Sequence, residues 1–200
     1  MSEPLWLGLD PVDSAVEERH LEHVVLDLLA ALAVEADLVL THVVRSAGAP
    51  RTAASVRLTG RGDVLAESPL AALIVGQWSG AFVLEGSTDG PTLEHGPHDG
   101  RQAAGEAVAQ GRSGESGRAA LFPGQDALVA PLPVSDVPLV CAIAAVLPVV
   151  GQVDASTLLD PSGYVRPRFA GGRLLLEVVP GPGGVVVPAE QLEEHACAGH

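Results

Sequence analysis

The chain lacks lysine altogether: its eleven basic residues are all arginine, against 25 aspartates and glutamates, and its formal net charge is −14. Nucleic-acid binding draws its affinity from lysines and arginines that neutralise phosphates, and basic residues likewise hold proteins on anionic membranes. The absence of lysine also excludes a Schiff base, pyridoxal-phosphate attachment and a P-loop lysine. We therefore expect no nucleic acid and no membrane as a partner, whereas a basic protein surface or a cation suits this charge.

Aromatic side chains are also scarce, at 3% of the residues, although 47% of the residues are hydrophobic. The large fillers available to a core are Trp6, Trp78, Phe82, Phe122, Tyr164 and Phe169. The core must therefore be packed from many small aliphatic side chains. Few rings remain for stacking on a small-molecule ligand.

The sequence contains only two cysteines, no recognisable targeting signal and no apolar run long enough to span a membrane. The two cysteines, Cys141 and Cys197, do not make a disulfide framework, and Cys141 is expected to be buried. No basic region followed by an apolar stretch opens the sequence, so no secretory signal is indicated. The longest apolar stretch, residues 137–150, contains two prolines and is too short to span a bilayer. We expect a cytoplasmic protein.

One amphipathic helix is predicted near the N-terminus, over residues 14–35. Its apolar face is formed at helical spacing by Leu21, Val24, Val25, Leu28, Leu29 and Leu32. Shorter helices are predicted over 101–110, which is rich in alanine, and over 189–195, which follows a proline.

Most of the remaining apolar segments are rich in β-branched residues and predict strands. The predicted strands are residues 38–44, 53–59, 64–67, 81–85, 127–134, 139–147, 164–169, 173–179 and 185–187. Short turns such as 60–63 and 181–184 favour antiparallel pairing, and 127–147 is interpreted as a buried hairpin at the centre of the core. The sequence thus predicts a single α+β domain over residues 1–200. It would have a mainly antiparallel β-sheet, one long N-terminal amphipathic helix and one or two short helices.

Residues 86–118 form the most polar and glycine-rich segment of the chain. Apart from the helix predicted within it, the composition is that of a loop. Loops of this length are usually functional, disordered or part of an interface. The sequence leaves open which of these applies.

Three clusters hold six of the seven histidines and are candidate metal sites for a divalent ion such as Zn²⁺. His20, His23 and Asp27 fall within about 60° of each other on the polar face of the predicted helix. His95 and His98 lie in the acidic segment, and His195, Cys197 and His200 close the chain. The alternatives are a solvated helix face, a loop tip and a frayed chain end, none of which needs a metal.

Other motifs are absent or have simpler explanations. The Arg61-Gly-Asp63 tripeptide occurs in adhesive proteins that bind integrins, but Gly60-Arg-Gly-Asp63 is also a good hairpin turn. The sequence contains no G-x-S-x-G, G-x-G-x-x-G or H-E-x-x-H motif. No carboxylate pair stands out as a general acid and base.

One segment resembles a known family. Ala103–Arg112 reads AAGEAVAQGR and Asp126–Val140 reads DALVAPLPVSDVPLV; together they resemble the later part of a GAF sensory domain, over less than a quarter of the chain. In that family a helix ending in Gly-Arg precedes a strand, a turn and an apolar strand. The family's closing helix is not predicted here, since residues 148–187 look like further strands. The resemblance implies a small-molecule sensing module.

Three functional hypotheses follow. The first is a non-catalytic structural, assembly or accessory subunit, as in a shell, virion or complex, whose partner is another protein or a further copy of the chain. It depends on the absence of a catalytic or cofactor motif and on a positive mean hydropathy without a membrane segment. The alternatives are a metal-dependent enzyme that uses the histidine clusters and a sensing module that resembles a GAF domain.

Overall fold

A computed structural model describes residues 4–11, 17–45, 50–59, 67–86, 92–162 and 164–190. Twelve strands and four α-helices are formed within these ranges, which confirms an α+β protein rich in β-structure. The chain divides into two compact units, Met1–Leu121 (unit 1) and Phe122–His200 (unit 2). One domain over 1–200 stays a prediction.

Unit 1 contains a six-stranded sheet and three helices. Its strands are β1 (Leu5–Asp10), β2 (Ala36–Val44), β3 (Arg51–Leu58), β4 (Ala81–Glu85), β5 (Thr92–His95) and β6 (Arg118–Leu121). Its helices are α1 (Glu18–Leu32), α2 (Glu67–Gln77) and α3 (His98–Ser113). The strand order is β5-β4-β1-β3-β2-β6, and each neighbouring pair is antiparallel. The expectation of a mainly antiparallel sheet is confirmed here.

Large aliphatic side chains join one face of this sheet to α1 and α2. Leu7 and Leu9 of β1 and Leu84 of β4 share one buried cluster with Val25 of α1 and Ile74 of α2. The alternating side chains of each strand supply one face of the cluster, and the helical spacing of α1 supplies the other. This cluster is the main apolar core of unit 1.

Small residues join the opposite face of the sheet to α3, and we call this contact the α3 seam. It is formed by Gly8, Ala53 and Ala81 of the strands and by Gly100, Ala103, Ala104, Ala107 and Gly111 of the helix. A Cβ atom added to Gly8 would overlap the backbone carbonyl of Ala104, so helix and strand backbones lie in direct contact there. Alanine favours the helix itself, and Gly114 ends it in the left-handed conformation, with φ 63°.

Unit 2 has shorter strands and a mixed sheet. Its elements are β7 (Leu132–Pro133), α4 (Val137–Val140), β8 (Ala145–Pro148), β9 (Leu158–Leu159), β10 (Arg168–Ala170), β11 (Arg173–Pro180) and β12 (Val186–Pro188). The long strand β11 pairs antiparallel with β10 and β12 and parallel with β8. β9 pairs parallel with β12 and antiparallel with β7. Gly171 and Gly172, with φ 58° and 75°, make the tight turn between β10 and β11.

The hairpin predicted over 127–147 is wrong. β7 pairs with β9 and β8 pairs with β11, so the two predicted arms do not pair with each other. The segment between them forms α4, in which Pro138 occupies a first-turn position that tolerates a residue without a backbone N–H. Leu139 and Val140 are exposed on this helix, so the segment is not the central strand that its composition indicates.

The N-terminal helix is shorter than predicted. α1 covers Glu18–Leu32 and ends where Ala33 adopts a left-handed conformation, with φ 52°. β1 precedes it and was not predicted, so α1 is not the first element of the chain. Residues 12–16, the turn at 60–63 and most of the helix at 189–195 lie outside the described residues.

Other elements agree with the predictions more closely. The strands at 38–44, 53–59, 81–85 and 173–179 are confirmed within two residues at each end. Within 86–118, the alanine-rich helix is present and longer than 101–110, and β5 precedes it. None of the helices in the described part of the chain is both long and apolar enough to cross a membrane.

Candidate functional site

The first histidine cluster lies on the outer surface of α1. His20, His23 and Asp27 are all exposed, on the side opposite Leu21 and Val25, as the helical spacing predicts. In the described ranges, no group of three or more His, Cys, Asp or Glu side chains could hold a metal ion. A metal at His20, His23 and Asp27 stays a prediction.

The second cluster is divided between two elements. His95 is on β5, where its ring stacks on Phe82 with centroids 5.8 Å apart, and His98 is the first residue of α3. Glu94 is 3.4 Å from the Nε of Arg101, which places an ion pair between these elements. A metal at His95 and His98 also stays a prediction, and His195, Cys197 and His200 lie outside the described residues.

The seventh histidine, His42, is buried, and no sequence cluster includes it. Its Nε2 is 2.8 Å from the Oγ of Ser55 on the adjacent strand, and both side chains lie in the sheet face that α3 covers. Burial lowers the pKa of His42 to about 4, although Gln110, Glu18 and Glu106 favour the protonated ring. A neutral histidine therefore shares a hydrogen bond with a serine inside unit 1.

A serine and a histidine at this distance are also the core of a nucleophile and its base. In catalysis the hydroxyl must reach a substrate, whereas Ser55 is fully buried. The Cβ position of Gly111 on α3 lies 2.5 Å from the Ser55 hydroxyl, so the helix backbone closes this side of the pair. The arrangement fits a structural hydrogen bond in the interior, although the buried Nδ1 of His42 forms none among the described residues.

A buried ion pair lies at the end of β1. Both carboxylate oxygens of Asp10 accept hydrogen bonds from Arg51, at 3.1 and 2.7 Å. Burial raises the pKa of Asp10 to about 6, and the Arg51 guanidinium acts in the opposite direction. The Asp10 carboxylate also lies beside Gly100, in the first turn of α3, where the helix dipole favours a negative charge.

A third polar group lies between β2 and α1. The Thr41 hydroxyl lies 2.6 Å from a carboxylate oxygen of Glu18 and 3.4 Å from one of Glu22. Glu22 is fully buried, although its charge indicates the solvated face of the helix. The sequence signal for this group and for His42 is a pair of polar residues, Thr41 and His42, inside the otherwise apolar run 38–44 of β2.

The surface of unit 2 has a different character. Eleven large apolar side chains are exposed within the described residues, and seven of them lie between 129 and 158. Five of the seven belong to α4, β8 and the residues after β8, and α4 contacts β8. We call these five the apolar patch: Leu139, Val140, Leu147, Val149 and Val150.

The patch contains no charge. Residues 137–153 include no Asp, Glu, Arg or His, in a chain with a net charge of −14. An exposed contiguous apolar surface marks a binding site more often than scattered apolar side chains do. In the sequence, the only signal for this patch is the long apolar run 137–150, whose composition predicts a strand covered on both faces.

Comparison with known proteins adds no family. The chain matches no protein-family model, and no curated protein or solved structure is significantly similar to it. The hairpin that the GAF resemblance implies within 126–140 is not formed, because 3₁₀ turns, β7 and α4 occupy these residues.

Proposed function

We propose that this protein is a non-catalytic assembly or accessory subunit that binds another protein chain through the apolar patch of unit 2. The observation that carries the proposal is the exposure of five neighbouring Leu and Val side chains on a segment without charge. Leu139 is 80% exposed and Val149 is 56% exposed, so both remain in contact with water. Such side chains gain free energy when a partner covers them.

The expected gain is of the same order as the lower estimates of the cost of association. Full burial of a Val or Leu side chain contributes roughly 1.5–3 kcal/mol. Several such contributions together exceed the lower estimates of the cost of bringing two proteins together, which begin at about 4 kcal/mol. An uncharged apolar centre surrounded by polar residues is also the usual anatomy of a protein interface.

The buried polar groups of unit 1 are consistent with a non-catalytic protein. Asp10 pairs with Arg51, and His42 shares a hydrogen bond with Ser55. Asp10 and the Nε2 of His42 each have a hydrogen-bond partner that accounts for their burial. Shifted pKa values can mark catalytic sites, but structural ion pairs and buried hydrogen bonds shift them as well.

A site-specific cross-link tests this proposal. A photoactivatable phenylalanine analogue at Val149 should cross-link one defined partner in the cells that make the protein, and Leu147→Glu in the same chain should abolish that product. The matched control carries the analogue at Leu73, an exposed leucine on α2 of unit 1. Equal cross-linking from both positions, or a product that survives Leu147→Glu, would refute the proposal.

A further inference from the structure

We propose that the partner is a second copy of this chain, and that β8 of one copy pairs edge to edge with β8 of the other across the apolar patch. This inference rests on the proposed function and names its partner.

β8 presents an open edge. Within the described residues it pairs with β11 alone. The backbone N–H of Ala144, directly before β8, donates to the carbonyl of Leu174 on β11, which fixes the side of β8 that faces β11 at the start of the strand. By the alternation of a strand, the N–H groups of Ala145 and Leu147 point to the open side. A second strand can therefore add there.

β5, an edge strand of unit 1, carries side chains that discourage another chain from pairing with the edge of its sheet. It carries Glu94 and His95, which are both exposed, and a charged residue discourages pairing with another chain. β8 has the sequence Ala-Val-Leu-Pro, without a charge. Pro148 limits further pairing to the residues before it, so the open edge is short and its register is defined.

The charge of the chain favours this surface for self-association. Two copies that each carry a net charge of −14 repel each other over most of their surfaces. Residues 137–153 are the exception, because they bring no charge to the contact. A basic partner would gain most from an acidic surface and nothing from this one.

The contact is also self-complementary. In a two-fold dimer the same patch meets itself. Antiparallel pairing centred on Val146 places Leu147 of each copy opposite Ala145 of the other, and the N–H groups on the open side gain carbonyl partners. Leu139 and Val140 on α4 flank the strand and extend the apolar contact.

Sedimentation equilibrium of the full chain, from about 1 to about 200 µM, tests this inference. We expect a reversible dimer. Leu147→Glu should raise the dissociation constant at least about tenfold, which corresponds to about 1.4 kcal/mol. Leu73→Glu, at an exposed leucine on α2 of unit 1, should leave the dissociation constant unchanged. Both variants should retain the circular dichroism spectrum of the wild type.

Hydrogen exchange provides a second test. A contact between side chains alone, without strand pairing, would leave the exchange rates of the β8 amides unchanged. The amides of Ala145 and Leu147 should exchange more slowly at high protein concentration, while the exposed amides of β5 should not change. A monomer at every concentration, or a dimer that tolerates Leu147→Glu, would overturn the inference. If the chain is monomeric but the Val149 cross-link to another protein still depends on Leu147, the proposed function stands and the self-association does not.

Discussion

Unit 1 and unit 2 place their polar and apolar side chains in opposite ways. Of the six polar or charged residues that are buried within the described ranges, five lie in unit 1, and only Arg166 lies in unit 2. Conversely, unit 2 holds most of the exposed large apolar side chains. Unit 1 covers its apolar core with helices on both faces of its sheet and pairs its buried polar groups internally. Unit 2 leaves apolar surface in water, which is why we propose that the partner-binding surface lies there.

Truncating one leucine in each unit should give the largest difference in the free energy of unfolding between the two units. Leu9 of β1 is fully buried in the unit 1 core, so Leu9→Ala should lower the free energy of unfolding by about 2–5 kcal/mol. Leu139 is mostly exposed, so Leu139→Ala should change it by less than about 0.5 kcal/mol. Urea unfolding at a concentration where the chain is monomeric measures both. Equal losses would mean that the patch is part of a core.

A methyl group added at the α3 seam should have the next largest effect on stability. Gly8→Ala forces a Cβ atom against the backbone carbonyl of Ala104, which cannot rotate away, so we expect a loss of about 3 kcal/mol. Gly105→Ala is the matched control, because no atom lies within 4 Å of the Cβ position there. It should stabilise the helix by about 0.5–1 kcal/mol. Thermal unfolding of the two variants compares them directly, and a tolerated Gly8→Ala would show that the seam is loose.

The buried polar groups of unit 1 should give the chain two opposing pH dependences. The pKa of His42 is about 4 in the folded chain, below its ordinary 6.5, so the unfolded state takes up this proton first as the pH falls. Stability from a neutral His42 is thus lost between about pH 6.5 and about pH 4. The pKa of Asp10 is raised to about 6, so its stabilising protonation is present at low pH and is lost as the pH rises through about 6.

Two variants separate these contributions. Relative to wild type, His42→Gln should gain stability as the pH falls through this window, and Asp10→Asn should lose it, each by at most about 1.4 kcal/mol per pH unit. Unfolding free energies across the window provide the measurement, and the imidazole resonances of His42 report its titration directly. Parallel pH profiles for both variants and the wild type would contradict the assignment.

Surface ion pairs should show the smallest difference between the units. Arg57 donates to both carboxylate oxygens of Asp37 in unit 1, at 2.7 and 2.9 Å, whereas Arg168 donates twice to one oxygen of Glu177 in unit 2, at 3.0 and 2.6 Å. All four side chains are partly exposed, so double-mutant cycles should give about 0.2–1 kcal/mol for each pair. Added salt should weaken both couplings. A coupling well above this range would show that one pair is shielded from solvent.

Three strands of unit 1, β2, β3 and β4, could be predicted from sequence because the evidence for them is local. β2 and β4 are short β-branched or apolar runs, and α3 is an alanine-rich segment that ends at glycine. β1 was missed, although Leu5–Asp10 alternates around a glycine, because glycine weakens a strand pattern on composition alone. The close contact that requires Gly8 is visible only when α3 is placed on the sheet.

The elements of unit 2 could not be predicted in the same way, because their partners are distant in sequence. β8 follows α4 closely but pairs with β11, about thirty residues further along, and no local pattern specifies a parallel partner. The candidate site was missed for a related reason. An apolar run in a strand is the same whether the sheet covers it or leaves it exposed, so composition cannot distinguish a core from a binding surface.

The α3 seam also bears on how relatives of this chain could be recognised. Most core positions accept exchanges among Leu, Ile, Val and Met when total volume is kept, so sequence similarity in such cores fades quickly with divergence. Positions where two backbones touch accept no such exchange. A diverged relative with this fold would therefore keep a spaced signature of glycine and alanine where all else has changed. The positions that form it are 8, 53 and 81 on the strands and 100, 103, 104, 107 and 111 on the helix.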